Sequence, residues 1–595
     1  MTAPRILDPG YRPQLTANGH YMLRFRYLKR NGDGQFEAPV VMFRRVAWTL
    51  AQVERQFNSD LDDSQITTWA DRFFTAMTDG QFLPNAPTLL GAGRLLGQLF
   101  ACFVLPVDDS IDSIFDTLRM AAQVHSKGGG TGFSFSRLRA RGTPIATGGV
   151  ATGPVSFMEV FDRETEAIKS GGTGWGANMG VLRCDHPDIL EFVSAKAQGA
   201  LRNFNISVAV TDQFMDAAAR DEDFALVDPH TQKIVRRLPA RFLLHSVCEQ
   251  AWRTGDPGLL FIDQINANNP TPALGAIEAT NPCGEAPLLP FEACCLGGIN
   301  VAAFHDPDGQ TYSWDKLEQT AGLALRMMDN VIQASRFPLP EIHAAVHRTR
   351  KLGIGVMGFA DLLIAMGIAY DSPEAEALAG QLMTTIQAGT RVMSQRLAAT
   401  RGPFPAYAGS RWQQLGHPPM RNATTTSNAP NSTISAVAGC SAGIEPHYSI
   451  AYSKHLANGE QLREVNQSFV QALQHRGLDD RELMQIAETS GSVQDMTALP
   501  DDLRRVFVTA HDISPAWHIR IQAAFQQHTD LGVSKTINLP HTATVADVRD
   551  AFLLAYQLGC KGITCYRDRC QEAQFLSITV PRIQPASQES CSVCT

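Results

Sequence analysis

The spacing of apolar residues predicts a mixed architecture. In "SQITTWADRFFTAMTDG" (64–80), Ile66, Trp69, Phe73 and Phe74 share one side of a 3.6-residue period and the run stops at a glycine, which predicts a helix. "SIFDTLRMAAQVHS" (113–126) and "RFLLHSVCEQAWRT" (241–254) read as helices for the same reason. "FACFVLPV" (100–107) and "RNFNISVAV" (202–210) are short, continuous apolar runs and read as buried strands. The most apolar stretch, "LGIGVMGFADLLIAMGIAY" (352–370), carries Asp361 and several glycines, so a buried helix or helix pair is expected there rather than a membrane span. From about 82 to 570, apolar segments alternate with Gly/Pro-rich loops without a clear linker, the mark of one large α/β unit. Residues 1–80 form a polar lead-in followed by helices. Residues 571–595 are polar, contain two prolines and lack a helical period, so a mobile tail is expected there. The expected division is therefore 1–80, 81–570 and 571–595.

Composition narrows the class. The chain has 595 residues, enough for three or four ordinary domains or one barrel grown by insertion. Hydrophobic residues make up 44% and charged residues 18%, as in a well-packed globular protein. A formal charge of −8 argues against a general nucleic-acid or membrane-surface binder. "MTAPRILDPGYRPQL" has no apolar core of a secretory signal, and twelve cysteines in so large a chain do not form a disulfide scaffold. A cytoplasmic chain is expected, whose cysteines are catalytic, metal-binding or inert.

Glycine clusters at 126–142 and 169–180 match neither a Walker A loop nor the dinucleotide fingerprint. They read as tight turns, or as backbone lying where a Cβ would clash with a ligand. "APNSTISAVAG" (429–439) places Asn431, Ser432, Thr433, Ile434 and Ser435 ahead of an apolar run. That is either a plain helix cap or an anion site. In "TNPCGEAP" (280–287), Asn281, Cys283 and Glu285 alternate, and on an extended segment they would share one face. An amide, a thiol and a carboxylate so placed suit a reactive sulfur with a general base beside it. Cys102 and Cys294 are further candidates, and Cys591 and Cys594 end the chain as a CxxC able to cycle between dithiol and disulfide. A zinc site made from Cys560, Cys565, Cys570 and that pair is the rival reading. Cys184, Cys248 and Cys440 read as core residues.

These pieces together resemble the ribonucleotide reductases, and most closely their coenzyme B12-dependent class II. The resemblance rests on "PNAPTLLGAG" (84–93), "ANMGVLRCDHPDI" (177–189), "RNFNISV" (202–208), "NPCGE" (281–285), "C-x-L-G-x-I-N" (294–300), "APNSTIS" (429–435) and "VSKTINLP" (533–540), in family order. No adjacent tyrosines suggest a class I radical relay, and no glycyl-radical segment suggests class III. The ending "GCKGITCYRDRC" (559–570) is similar to that of class II, with Cys565 and Cys570 as departures. The lead-in leaves little room for an ATP-cone domain.

The resemblance implies a ten-stranded α/β barrel with a helical N-terminal segment and a flexible C-terminal tail. It implies adenosylcobalamin as cofactor, no protein-bound metal site, and reduction of ribonucleotides, with diphosphates expected. Cys283 would carry the thiyl radical, Glu285 would take the 3′-hydroxyl proton, and Asn281 would bond the ribose hydroxyls. Cys102 and Cys294 would supply two reducing equivalents and be re-reduced through Cys591 and Cys594 by a thioredoxin-like donor. Asn431, Ser432, Thr433, Ile434, Ser435 and Thr88 would bind substrate phosphate. Asp109 and Arg139 would contact a deoxynucleotide effector, signalled through loops at 142–153 and 170–178. A homodimer would suit the family. Departures are Gly174 and Trp175 in place of arginines, Ala86 and Ala101 in place of hydroxyls, and Cys295 in place of asparagine. Two other readings are a thiyl-radical enzyme with another substrate and a nucleotide-binding protein with a zinc-clamped tail.

Overall fold

The structure, a computed structural model, describes residues 4–570 and 576–577, apart from positions 31, 96, 147, 171–175, 307, 309–310, 456–460 and 479–490. Cys591, Cys594, Gly174 and Trp175 therefore lie outside the described residues, as does most of the expected tail.

Two sets of five parallel strands form the centre. The first contains β1 (Cys102–Leu105), β2 (Gly130–Ser134), β3 (Asn178–Arg183), β4 (Phe204–Val210) and β5 (Gly258–Phe261), paired in that order. The second contains β6 (Ala293–Asn300), β7 (Leu352–Met357), the segment 424–428, β8 (Thr536–Leu539) and β9 (Gly562–Arg567). The segment 424–428 bridges β7 through Ile354 and Thr426, and bridges the residues leading into β8 through Asn428 and Val533. The sets meet at two antiparallel seams, β1 with β6 and β5 with β9, which close a ten-stranded barrel. Closure leaves the barrel without an open edge.

Why each stretch becomes what it is follows mostly from its pattern. The predicted helices appear as α2 (Asp63–Thr78), α3 (Ile111–His125) and α4 (Ala240–Thr254). In α2, Asp62 and Gln65 cap each other's backbone N–H reciprocally. α1 (Pro39–Gln52) packs beside α2, and together they make the N-terminal helical layer.

The 352–370 stretch differs from expectation. It is the strand β7 followed by a short helix, Phe359–Ala365, turning at Gly358 with φ 78°. A strand of a parallel sheet is covered on both faces, so it shows no polar alternation and resembles a buried helix in composition. Glycine at 355 is required by packing: a Cβ there would lie 2.2 Å from the Ser427 carbonyl oxygen.

Alternate residues along the strands enter two separate cores. Phe103, Leu105, Ala293 and Cys295 pack outward against the helices. Cys102, Val104, Cys294 and Leu296 face inward, where they meet Ala279, Ala286 and Leu288 of a hairpin inserted into the barrel.

Candidate active site

That hairpin pairs Ala279–Thr280 with Pro287–Leu288, and "NPCGE" is its tip. The tip is a turn rather than the extended segment expected from sequence. The Gly284 N–H donates to the Asn281 carbonyl at 3.1 Å, with Gly284 at φ 84°. Consequently Asn281 and Glu285 turn inward and are buried, while Cys283 at the apex remains exposed.

Neighbouring strands hold the tip. The Gly532 N–H and the Ser427 hydroxyl donate to the Glu285 carbonyl at 2.8 and 2.9 Å. Asn205 Nδ2 donates to the Pro282 carbonyl at 2.7 Å. Two glycines of the 126–142 cluster serve this insertion, Gly130, where a Cβ would lie 3.0 Å from the Pro282 ring, and Gly132. A Cβ on Gly132 would lie 1.7 Å from the Thr280 oxygen, so only glycine lets β2 pass under the hairpin.

Four predicted residues meet around the tip. Asn281 Nδ2 donates to Cys102 Sγ at 3.1 Å, and its Oδ1 accepts from the Ala286 N–H at 3.0 Å, which fixes the amide orientation. Cys102 Sγ lies 3.9 Å from Glu285 Oε1. Cys102 and Cys294 are opposed across the antiparallel seam and are both free thiols. Directly opposed residues have Cα atoms about 4.5 or 5.5 Å apart, within the disulfide window. The register thus allows them to be joined without moving the backbone.

Electrostatics set the protonation states. Burial lifts the Glu285 carboxyl to about 7, despite bonds from its own backbone, Asn281 and Cys102. Its other oxygen, Oε2, is buried without a hydrogen-bond partner. An orphaned carboxylate oxygen costs free energy unless a ligand supplies a donor. Solvent reaches Cys283, yet the protein crowded around it, and secondarily Glu285, push its thiol above the usual range. Burial raises Cys102 and Cys294 as well. These sulfurs hold their hydrogen near neutral pH, the form required of hydrogen-atom donors rather than nucleophiles.

The 429–439 loop leads into a helix, Ser432–Ala438. Asn431 sits in the left-handed region at φ 53° and does not cap it by side chain; its Nδ2 donates to the Val356 carbonyl at 3.2 Å instead. The first helical N–H groups lack intrahelical partners, and Ser432 is exposed beside the buried Ile434 and Ser435. Thr433 accepts a 2.7 Å bond from the Tyr27 hydroxyl, so the N-terminal segment braces this turn. Sequence reasoning missed Tyr27, whose local context carries no signal. Thr88 is fully buried, its hydroxyl donating to the Asn85 side chain and the Leu99 carbonyl and lying 3.9 Å from Cys295 Sγ.

Asp109 and Arg139 form one unit. The Asp109 carboxylate accepts from the Arg139 backbone N–H at 2.9 Å and from its Nε at 2.6 Å. Partial burial opposes ionisation of Asp109, but these bonds hold its carboxyl below the usual range. His230, from the turn of a surface hairpin, bonds the same carboxylate and was not legible in sequence. Cys560 and Cys565 are buried and Cys570 is half-buried. Among the described residues no three His, Cys, Asp or Glu side chains are grouped to hold a metal.

Comparison with known proteins adds a separate line of evidence. Residues 100–566 match the model of the ribonucleotide reductase barrel domain, and residues 13–97 match that of the ribonucleotide reductase all-alpha domain. A vitamin B12-dependent ribonucleoside-diphosphate reductase of Mycobacterium tuberculosis is 47% identical over 98% of this chain and 82% of its own. A protein of the same name from Thermoplasma acidophilum is 43% identical over 98% of this chain and 83% of its own. Among solved structures, the class Id ribonucleotide reductase alpha subunit of Actinobacillus ureae superposes with a TM-score of 0.76 at 25% identity, over 94% of this chain and 98% of that one.

Proposed function

The chain belongs to the ribonucleotide reductase family, and from that premise we propose that it is a class II enzyme, reducing ribonucleoside diphosphates to 2′-deoxyribonucleotides with adenosylcobalamin. The observation that carries the reading is the convergence of Asn281, Cys102 and Glu285 beneath the exposed Cys283, with one Glu285 oxygen unpartnered.

The tip suits the cofactor. Cys283 is accessible and retains its hydrogen, and the Cβ side of Gly284 meets nothing within 4 Å, which leaves room for a bulky group. Bound adenosylcobalamin would supply the radical chemistry that removes the Cys283 hydrogen atom. The Cys283 sulfur would then take the ribose 3′-hydrogen. Glu285 Oε2 would accept the 3′-hydroxyl proton, a task matched to a carboxyl that titrates near 7. Asn281 would orient the ribose hydroxyls. As the 2′-hydroxyl leaves as water, Cys102 and Cys294 would give two electrons and two protons and join as a disulfide.

Asn431, Ser432, Thr433, Ile434 and Ser435 are proposed to hold substrate phosphate. Thr88 is proposed to act through their surroundings rather than by direct contact, since its hydroxyl bonds internally. Asp109 and Arg139 are proposed as the effector contact, Cys591 and Cys594 as the pair that returns electrons from a thioredoxin-like donor. The test is turnover of the four ribonucleotides with adenosylcobalamin, a dithiol and each deoxynucleotide in turn. Deoxynucleotide product that disappears when adenosylcobalamin is omitted supports the reading, and its absence under every combination rejects it.

A further inference from the structure

A buried ion pair lies beside the cysteine pair and has no place in the chemistry above. Lys351 Nζ bonds Glu292 Oε2 at 2.5 Å, and both side chains are almost wholly buried. Glu292 is held further by the Thr349 hydroxyl at 2.8 Å and the Leu289 N–H at 2.8 Å. β6 and β7 pair in parallel with Cys295 opposite Leu352, so the preceding residues, Cys294 and Lys351, are also neighbours. On the other side of β6, Cys294 is opposite Cys102. Laterally paired residues point to the same face. Cys102, Cys294 and Lys351 thus form a row across three adjacent strands, facing the barrel interior.

The row is electrostatically asymmetric. Cys102 has the Glu285 carboxylate as neighbour. Burial raises the Cys294 thiol most, Cys295 and Glu285 raise it further, Lys351 opposes them, and Glu292 adds a smaller upward push. The remaining charged groups in reach are Cys283, on the Cys102 side, and Lys561, which is coupled to Lys351 and bonded to the Asp530 and Leu531 carbonyls. A charge on Cys294 therefore meets a cation as well as the carboxylates of Glu285 and Glu292, whereas a charge on Cys102 meets the Glu285 carboxylate and no cation.

We propose that Lys351, held in place by Glu292, is a positioning residue for the re-reduction half of the cycle, directing cleavage of the Cys102–Cys294 disulfide so that Cys294 is the leaving thiolate. The attacking thiolate of an external dithiol forms a bond to Cys102 Sγ while the Cys102–Cys294 bond breaks and Cys294 departs as a thiolate opposite the Lys351 ammonium. The second thiol of the donor attacks its own sulfur in the mixed disulfide and releases Cys102. The donor ends as a disulfide, and its two protons end on Cys102 and Cys294. Leaving-group stability controls the rate of such exchange.

This rests on the proposed pairing of Cys102 with Cys294, yet its test needs neither nucleotide nor cobalamin. The full chain is oxidised with diamide, and loss of the Cys102–Cys294 disulfide in dithiothreitol is followed by alkylation and peptide mass spectrometry across pH. If that disulfide never forms, the proposed function fails and this inference with it. If it forms, K351M should slow its reduction at least tenfold and shift the pH profile upward, whereas E292Q should leave the rate unchanged or raise it. A purely structural pair predicts that both changes act in one direction. K351M with E292Q, which removes both charges, serves if K351M alone does not fold. In the unaltered protein, a monothiol such as glutathione should be trapped on Cys102. A mixed disulfide on Cys294, or a K351M rate and pH profile equal to those of the parent, overturns the proposal.

Discussion

Glu285 concentrates the chemistry of the tip in one side chain, with one oxygen facing Cys102 and the other unpartnered. Its carboxyl is raised to about 7 by burial, so the base form appears only as pH climbs through that value. Turnover is therefore expected to rise with pH through about 7, on a limb absent from E285Q. E285Q should also lose about 10²–10⁴-fold in rate, the usual worth of a general base. The same shift has a stability sign. A raised carboxyl favours the folded state below its ordinary value of 4.5 and loses that advantage as pH rises through about 7. C283S should fall to background turnover with an unchanged unfolding midpoint, because Cys283 is exposed and belongs to neither core of the barrel. Turnover of C283S comparable to the parent would remove Cys283 from the mechanism.

The hairpin is the element on which the site depends, and its cost is borne by glycines on the strands it crosses. G132A would put a Cβ 1.7 Å from the Thr280 oxygen, so hairpin or strand must shift. Overpacking of this kind costs about 1–3 kcal/mol. G132A is expected to lower the unfolding midpoint and turnover together, measured by thermal melting and by product formation. A G132A protein with the parent's midpoint and rate would show that the hairpin tolerates displacement. Glycine density was visible in the sequence, but not what lay above it, and the cluster read equally well as a ligand cradle. The 352–370 stretch shows the same limit. Its composition could not distinguish a two-faced buried strand from a buried helix, because neither carries polar alternation.

At the scale of the molecule, a buried charge network ties the N-terminal helices to the barrel's outer layer. Asp329 accepts from Arg350 at 2.6 Å and from Arg401 at 2.8 Å, and Arg401 also bonds Glu54 at 2.7 Å. Burial would raise the Asp329 carboxyl, but Arg350, Arg421 and Arg401 hold it at about 2. Its stabilisation is therefore complete above its ordinary value of 3.8 and is lost as pH falls through about 2. D329N should destabilise by about 3–5 kcal/mol, since it leaves buried arginines uncompensated. Denaturant unfolding at neutral pH checks the size, and acid titration checks the window. Loss of under about 1 kcal/mol would mean that water replaces the carboxylate.

The sequence by itself determined the residue types and their order. The helical periods of α2, α3 and α4, the buried runs of β1 and β4, and the spacing of Asn281, Cys283 and Glu285 are local properties, readable because side-chain period follows backbone geometry. The family likeness was legible for the same reason, as short motifs in order. Tertiary structure alone decided which distant residues meet. It opposed Cys102 to Cys294 across an antiparallel seam and set Lys351 beside them. It brought Tyr27 to Thr433 and His230 to Asp109, and it placed Thr88 among Asn85, Leu99 and Cys295. These are consequences of register and closure, which depend on pairings between segments far apart in the chain. The protonation state of Glu285 belongs with them, since it follows from burial, and burial is complete only when the hairpin stands inside the closed barrel.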